Sequence, residues 1–172
     1  MPPQYTLGLG LGSSSALRCY RVLKIDLHMN DFNLRPMTLD DYAVVYALWQ
    51  STPGIGLSVS DEHDAIAAFL ERNPGLSAVA TSAHGIVGVV LCGHDGRRGY
   101  LHHLAVMSQY RKRGIAKMLV EHSLSRLREA HILKCNIFLF RNNESGSAFW
   151  HHNGWVTRDD LSVLQSVLLP LG

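Results

Sequence analysis

Tyr100-Leu101-His102-His103-Leu104-Ala105-Val106 runs through Met107-Ser108-Gln109-Tyr110 into Arg111-Lys112-Arg113-Gly114-Ile115-Ala116. An apolar strand thus leads through a basic turn into a helix whose first residues are Gly, Ile and Ala. A helix start carries unpaired N–H groups and partial positive charge. Gly114 and Ala116 have little or no side chain, so a ligand can come close to the backbone there. Arg111, Lys112 and Arg113 add three cations. Together these features describe a cradle for a pyrophosphate.

Working outward, the spacing predicts a long helix over 114–130. Its inner stripe is Ala116, Leu119, Val120, Ser123, Leu124 and Leu127. Upstream, three strands are expected at 76–82, 86–93 and 99–107. Ser82-Ala83-His84-Gly85 and Asp95-Gly96-Arg97-Arg98 read as the turns between them. A helix at 38–50 begins with a capping-box-like Thr38-Leu39-Asp40-Asp41 and buries Tyr42, Val45, Tyr46 and Trp49. A loop follows at 51–59. Ser60 reads as the cap of a second helix, with Asp61, Glu62 and Asp64 as first-turn charges, and Asn73-Pro74-Gly75 stops it. A short strand at 32–35 precedes all of this. A strand at 134–140, a short helix at about 145–152 and one or two closing strands come after. This order belongs to the α+β (mixed α/β) class, with a mostly antiparallel sheet flanked by helices.

Length and composition set the bounds. The chain has 172 residues, 47% apolar and 17% charged, with a formal net charge of +2. That fits one folded domain, expected over 31–172, and excludes a disordered chain. Residues 1–30 read as a poorly ordered extension, with Met29 a plausible alternative start. Gly8-x-Gly10-x-x-Ser13 is no dinucleotide fingerprint, because only seven residues precede it. The weak charge argues against nucleic acid, and no apolar run is long enough to span a membrane. Cys19, Cys92 and Cys135 are scattered, which suits reduced thiols and a cytoplasmic location. His102-His103 and His151-His152 are adjacent pairs and no His-x-x-x-His occurs, so no metal is expected.

At the Arg111–Ala116 motif the sequence resembles the GNAT family of acetyl-CoA-dependent N-acetyltransferases. Their hallmark, Arg/Gln-x-x-Gly-x-Gly/Ala, follows a strand ending like Leu104-Ala105-Val106. Downstream, Asn143, a short helix with Phe149-Trp150, and Gly154-Trp155 resemble the family's second block. The segment 137–143 looks somewhat like the ribosomal-protein alanine acetyltransferase type. The resemblance implies a central sheet that splays beside Leu104–Val106, where the pantetheine arm of acetyl-CoA enters. It implies that the backbone of Leu104, Ala105 and Val106 pairs with that arm. It also implies that backbone N–H groups from Arg111, Lys112, Arg113, Gly114, Ile115, Ala116 and Lys117 hold the pyrophosphate, and that Asn143 touches the arm. The partners so implied are acetyl-CoA and an amine acceptor, and such domains often form homodimers.

The implied reaction is attack of a neutral amine on the thioester. A lysine-like amine with a pKa near 10.4 is only about one part in a few thousand neutral at pH 7, so a base is useful. By strand alternation, Tyr100 and His102 share a face with Leu104 and Val106. Serotonin N-acetyltransferases carry a histidine matching His102, and many members have a glutamate where Tyr100 stands. His102, in preference to His103, is therefore the expected base, with Tyr100 beside it. The tyrosine that often protonates the leaving sulfur is replaced by Trp150. That replacement keeps a second reading open, an acetyl-CoA-binding sensor with little catalysis.

Overall fold

The computed structural model describes residues 32–168. The expectations for residues 1–30, Cys19 among them, lie outside these. Contacts divide the chain into two units, Met1–Ile137 and Phe138–Gly172, taken separately below.

The first unit is built on a five-stranded sheet in the order β1-β2-β3-β4-β5. The strands are β1 (Asn33–Pro36), β2 (Ala78–Ser82), β3 (Gly85–His94), β4 (Gly99–Val106) and β5 (Cys135–Ile137). All neighbouring pairs are antiparallel except β4 with β5, which run parallel. This is the expected α+β architecture. β3 is buried without a break from Val87 to Gly93, as a central strand covered on both faces must be.

Two helices cover one face: α1 (Tyr42–Gln50) and α2 (His63–Arg72). Val45, Leu48 and Trp49 of α1 and Ile66 of α2 form one core with Val79, Val89, Leu91 and Ala105 from the sheet. The opposite face takes α3 (Ile115–Glu129), which lies so close that it demands glycines beneath it. A Cβ on Gly88 would lie 3.1 Å from both Ile115 and Leu119, and one on Gly99 would lie 2.5 Å from Leu127.

The helix starts differ from expectation in one respect. Thr38 forms its box with Asp41, whose Oδ2 accepts the Thr38 N–H at 2.9 Å. Downstream, Ser60 caps no helix: Ser58 caps a short 3-10 turn, and Glu62, with no side-chain bond, stands at the N-cap of the α-helix. Asp61 Oδ2 accepts the Ser58 N–H at 2.8 Å and closes that turn, Val59–Asp61. The α-helix then begins at His63, so Asp61 is not one of its first-turn charges but a buried residue.

The other differences fall after residue 134. β5 keeps only Cys135–Ile137 of the expected 134–140. The second unit contains α4 (Glu144–His152) and, among the described residues to 168, no strand. Arg158 and Asp160 bond locally at 2.7–2.8 Å, and Leu161 N–H turns back to the Arg158 carbonyl. The apolar residues beyond, including Leu164 and Leu168, are exposed. Apolar content alone makes no strand; a ladder partner is needed, and this segment has none among the described residues.

Cys92 and Cys135 are free thiols. Burial pushes the Cys92 thiol up to about 12 and that of Cys135 up to about 11.

Candidate active site

β4 is continuous in sequence but changes register midway. Leu91 of β3 stands opposite His102, while Val89 stands opposite Ala105. β4 therefore takes three steps where β3 takes two, which is a β-bulge with one extra residue. His103 absorbs the irregularity with a φ of +50°, in the left-handed region.

The bulge shifts the alternation. Cross-strand partners share a face. Tyr100 (opposite Gly93), His102 (opposite Leu91) and Ala105 (opposite Val89) thus lie on the α1–α2 face. Leu101 (opposite Cys92) and Val106 (opposite Gly88) lie on the α3 face. Strict alternation put Leu104 and Val106 with Tyr100 and His102. Instead Val106 faces α3, and Leu104 sits within the bulge. An extra residue leaves no mark on an apolar run, so the strand pattern could not announce it.

On its other side β4 pairs with β5 only from Gly99 to Leu101. Beyond Leu101 no strand flanks that edge among the described residues. The second half of β4 thus has a bulge on one side and no ladder on the other.

Met107 to Arg113 link this strand to α3. Arg111 turns back, its Nε–H donating to the Val106 carbonyl at 3.0 Å. Arg113 lies over the Tyr110 ring at 5.4 Å, and Tyr110 meets Phe32 edge-on. Lys112 has a φ of +61° and Gly114 one of +83°. Gly114 is the N-cap of α3, and no side chain caps that end. The first N–H groups of a fifteen-residue helix therefore start from a glycine, among Arg111, Lys112, Arg113 and Lys117. The Ile115 side chain is core, so only its backbone can face a ligand. An open cleft of about 360 Å³ lies at the opposite end of α3, lined by Arg126, Glu129 and Ala130 with Asn73–Leu76 and His94.

His102 meets Phe69 edge-on at 6.2 Å and stacks over Tyr100 at 6.3 Å. Burial, reinforced by the neighbouring His103, pushes its pKa below the ordinary histidine value, with Asp61 opposing. The structure thus keeps Tyr100 and His102 together on one face. It also shows a contact that sequence reading missed: His103 Nε2 lies 2.6 Å from Asp61 Oδ1. Forty-two positions separate these residues, and nothing local signals their meeting.

In the second unit, Asn143 caps α4, its Oδ1 accepting the Gly146 N–H at 2.8 Å. Trp150 is buried, with Phe149 and Trp155 edge-on to it at 5.1 and 4.8 Å. Among the described residues, no three His, Cys, Asp or Glu side chains are placed to hold a metal ion, and no helix is long and apolar enough to cross a membrane.

Residues 42–155 match the acetyltransferase (GNAT) family. An acetyltransferase of Sodalis glossinidius (strain morsitans) is 28% identical over 136 residues, covering 79% of this chain and 95% of that protein. The fold is shared with two solved structures. The PaiA N-acetyltransferase of Thermoplasma acidophilum, in complex with coenzyme A, has a TM-score of 0.65 at 16% identity, over 74% of this chain and 91% of its own. A ribosomal-protein-alanine N-acetyltransferase of Brucella melitensis biovar Abortus 2308 has a TM-score of 0.62 at 18% identity, over 78% and 99%.

Proposed function

The chain is an N-acetyltransferase of the GNAT family, and on that premise we propose that it moves an acetyl group directly from acetyl-CoA to a primary amine. The observation that carries the donor assignment is the junction of β4 and α3. A half-partnered, bulged strand is joined by seven residues to an uncapped helix start at Gly114. The backbone of Leu104, Ala105 and Val106 offers hydrogen-bonding groups to an extended arm, as an added strand would. The N–H groups from Arg111 to Lys117 take the pyrophosphate, aided by the helix dipole and the flanking cations. The coenzyme A complex of the Thermoplasma relative supports this donor. The match to residues 42–155 supports treating 31–172 as one acetyltransferase domain.

The chemistry then follows from the groups in place. The amine nitrogen attacks the thioester carbon, and its lone pair forms the C–N bond. The carbonyl π pair moves to oxygen, where the bulge N–H at Leu104 is the proposed donor. The pair returns, the C–S bond breaks, and CoA leaves with the sulfur electrons. The ammonium proton passes to a base. His102 is the proposed base, with Tyr100 stacked on it. Burial favours its neutral form, which is the form that accepts a proton.

The test is calorimetric titration with acetyl-CoA, then CoA release over a panel of small amines and peptides. Binding with turnover is expected. Binding without release on any acceptor would favour the sensor reading, and no binding would overturn the donor assignment.

A further inference from the structure

His103 occupies a left-handed conformation that is unfavourable for a non-glycine residue, so its surroundings must hold it there. Three contacts do so. The Trp49 Nε1–H donates to the His103 carbonyl at 3.1 Å. The Trp49 ring packs on the imidazole at 5.1 Å between centroids. Asp61 Oδ1 bonds the imidazole Nε2 at 2.6 Å. Each anchor is itself fixed. Trp49 is 1% exposed. Asp61 Oδ2 is held by the Ser58 N–H and hydroxyl, at 2.8 and 3.2 Å, and the Asp61 carbonyl accepts the Tyr42 hydroxyl at 3.1 Å. The imidazole is gripped from the turn before α2, and the peptide carbonyl from α1.

We infer that Asp61, Trp49 and His103 form a clamp that keeps the β4 bulge open, making Asp61 and His103 positioning residues for acetyl-group recognition. A strand rid of its bulge would restore the ladder with β3 and turn the Leu104 N–H away from a ligand. The clamp opposes that relaxation by fixing both the side chain and the carbonyl of the left-handed residue. The inference rests on the proposed acetyl-CoA site, and it assigns the imidazole a mechanical task, leaving proton transfer elsewhere.

Glycine separates the two tasks, because it adopts positive φ without help. Full-length wild type, His103→Gly, His103→Ala and Asp61→Asn would be titrated with acetyl-CoA and with CoA, after melting curves establish that each is folded. His103→Ala is expected to weaken acetyl-CoA by about three- to tenfold, the size of one net hydrogen bond, with CoA changed less than about twofold. Asp61→Asn should shift in the same direction by less. His103→Gly should stay within about twofold of wild type for both ligands. The clamp is overturned if glycine falls as far as alanine, if both ligands weaken alike, or if alanine matches wild type. In each of those cases wild type still binds acetyl-CoA and the donor assignment stands. A wild type that binds neither ligand removes the donor assignment and the clamp together.

Discussion

Arg35 grips the Asp41 carboxylate with both terminal nitrogens, at 2.7 and 2.6 Å. The same carboxylate closes the capping box with Thr38. Arg35 beside it holds the Asp41 carboxyl below its ordinary value of 3.8, against the opposing effect of burial. A depressed acid stabilises the fold above its unfolded pKa and loses that contribution as pH falls through the folded value. Asp41→Asn is therefore expected to cost about 1 kcal/mol at pH 7, the usual worth of a cap. It should also flatten the loss of stability below about pH 4. Urea midpoints from pH 7 to pH 3 check both.

His102 works in the same direction along the pH axis, in a window closer to neutrality. Its folded pKa lies below 6.5, chiefly through burial. The unfolded chain takes up a proton as pH drops past 6.5 while the folded chain resists, so stability is present above that value and lost beneath it. His122, half-buried on α3 with its Nε2 buried and unpartnered, is also depressed and adds to the same window. Melting temperature should fall between pH 7 and pH 5. His102→Gln should remove part of the fall, and His122→Gln part of the remainder. Parallel slopes in all three proteins would show that other groups control it.

Gly114→Val probes the helix start without disturbing the core, since a Cβ there meets no atom within 4 Å. The φ of +83° still strains any side chain, by about 1–2 kcal/mol. The variant should melt a few degrees lower yet remain folded, and lose acetyl-CoA affinity by tenfold or more. Calorimetry beside a melting curve separates the two effects. Unchanged affinity would remove the pyrophosphate from this turn.

Beneath α3, Gly99→Ala would drive its methyl group into Leu127, which is 2% exposed. Overpacking of this kind costs roughly 1–3 kcal/mol. Leu127→Ala alone should cost about 2–5 kcal/mol through the cavity it leaves. In the double variant the two volumes offset, so its loss should be smaller than the sum. A double-mutant cycle on denaturation midpoints measures that coupling, and additive losses would mean the residues do not meet.

What could be read from the chain divides by range. The α3 helix and its Gly114 start are local patterns; Leu119, Val120, Ser123 and Leu127 are buried where periodicity put them, while Ala116 and Leu124 are half-buried and Ile115, outside the expected stripe, is core. The turns around residues 82–85 and 95–98 also stand where expected; Asp95 Oδ1 accepts the N–H groups of both Arg97 and Arg98 at 2.7 Å. The bulge at His103 escaped because an extra residue in an apolar strand changes no composition. Asp61 read as a first-turn helix charge because its partner, His103, lies forty-two positions away. The expected closing strands failed for the same reason in reverse. Residues 155–168 carry strand-like apolar content, but a strand exists only in a pairing that no local window contains.

The thiols bear on how this protein handles the bond it is proposed to cleave. With values of about 12 and 11, Cys92 and Cys135 keep fewer than roughly one sulfur in a thousand ionised at neutral pH. A thiolate near a thioester would exchange with it and carry the acyl group off course. These two sulfurs are instead chemically quiet, and neither competes with the proposed amine acceptor. Disulfide dyes that report liberated CoA would accordingly draw little background from either residue.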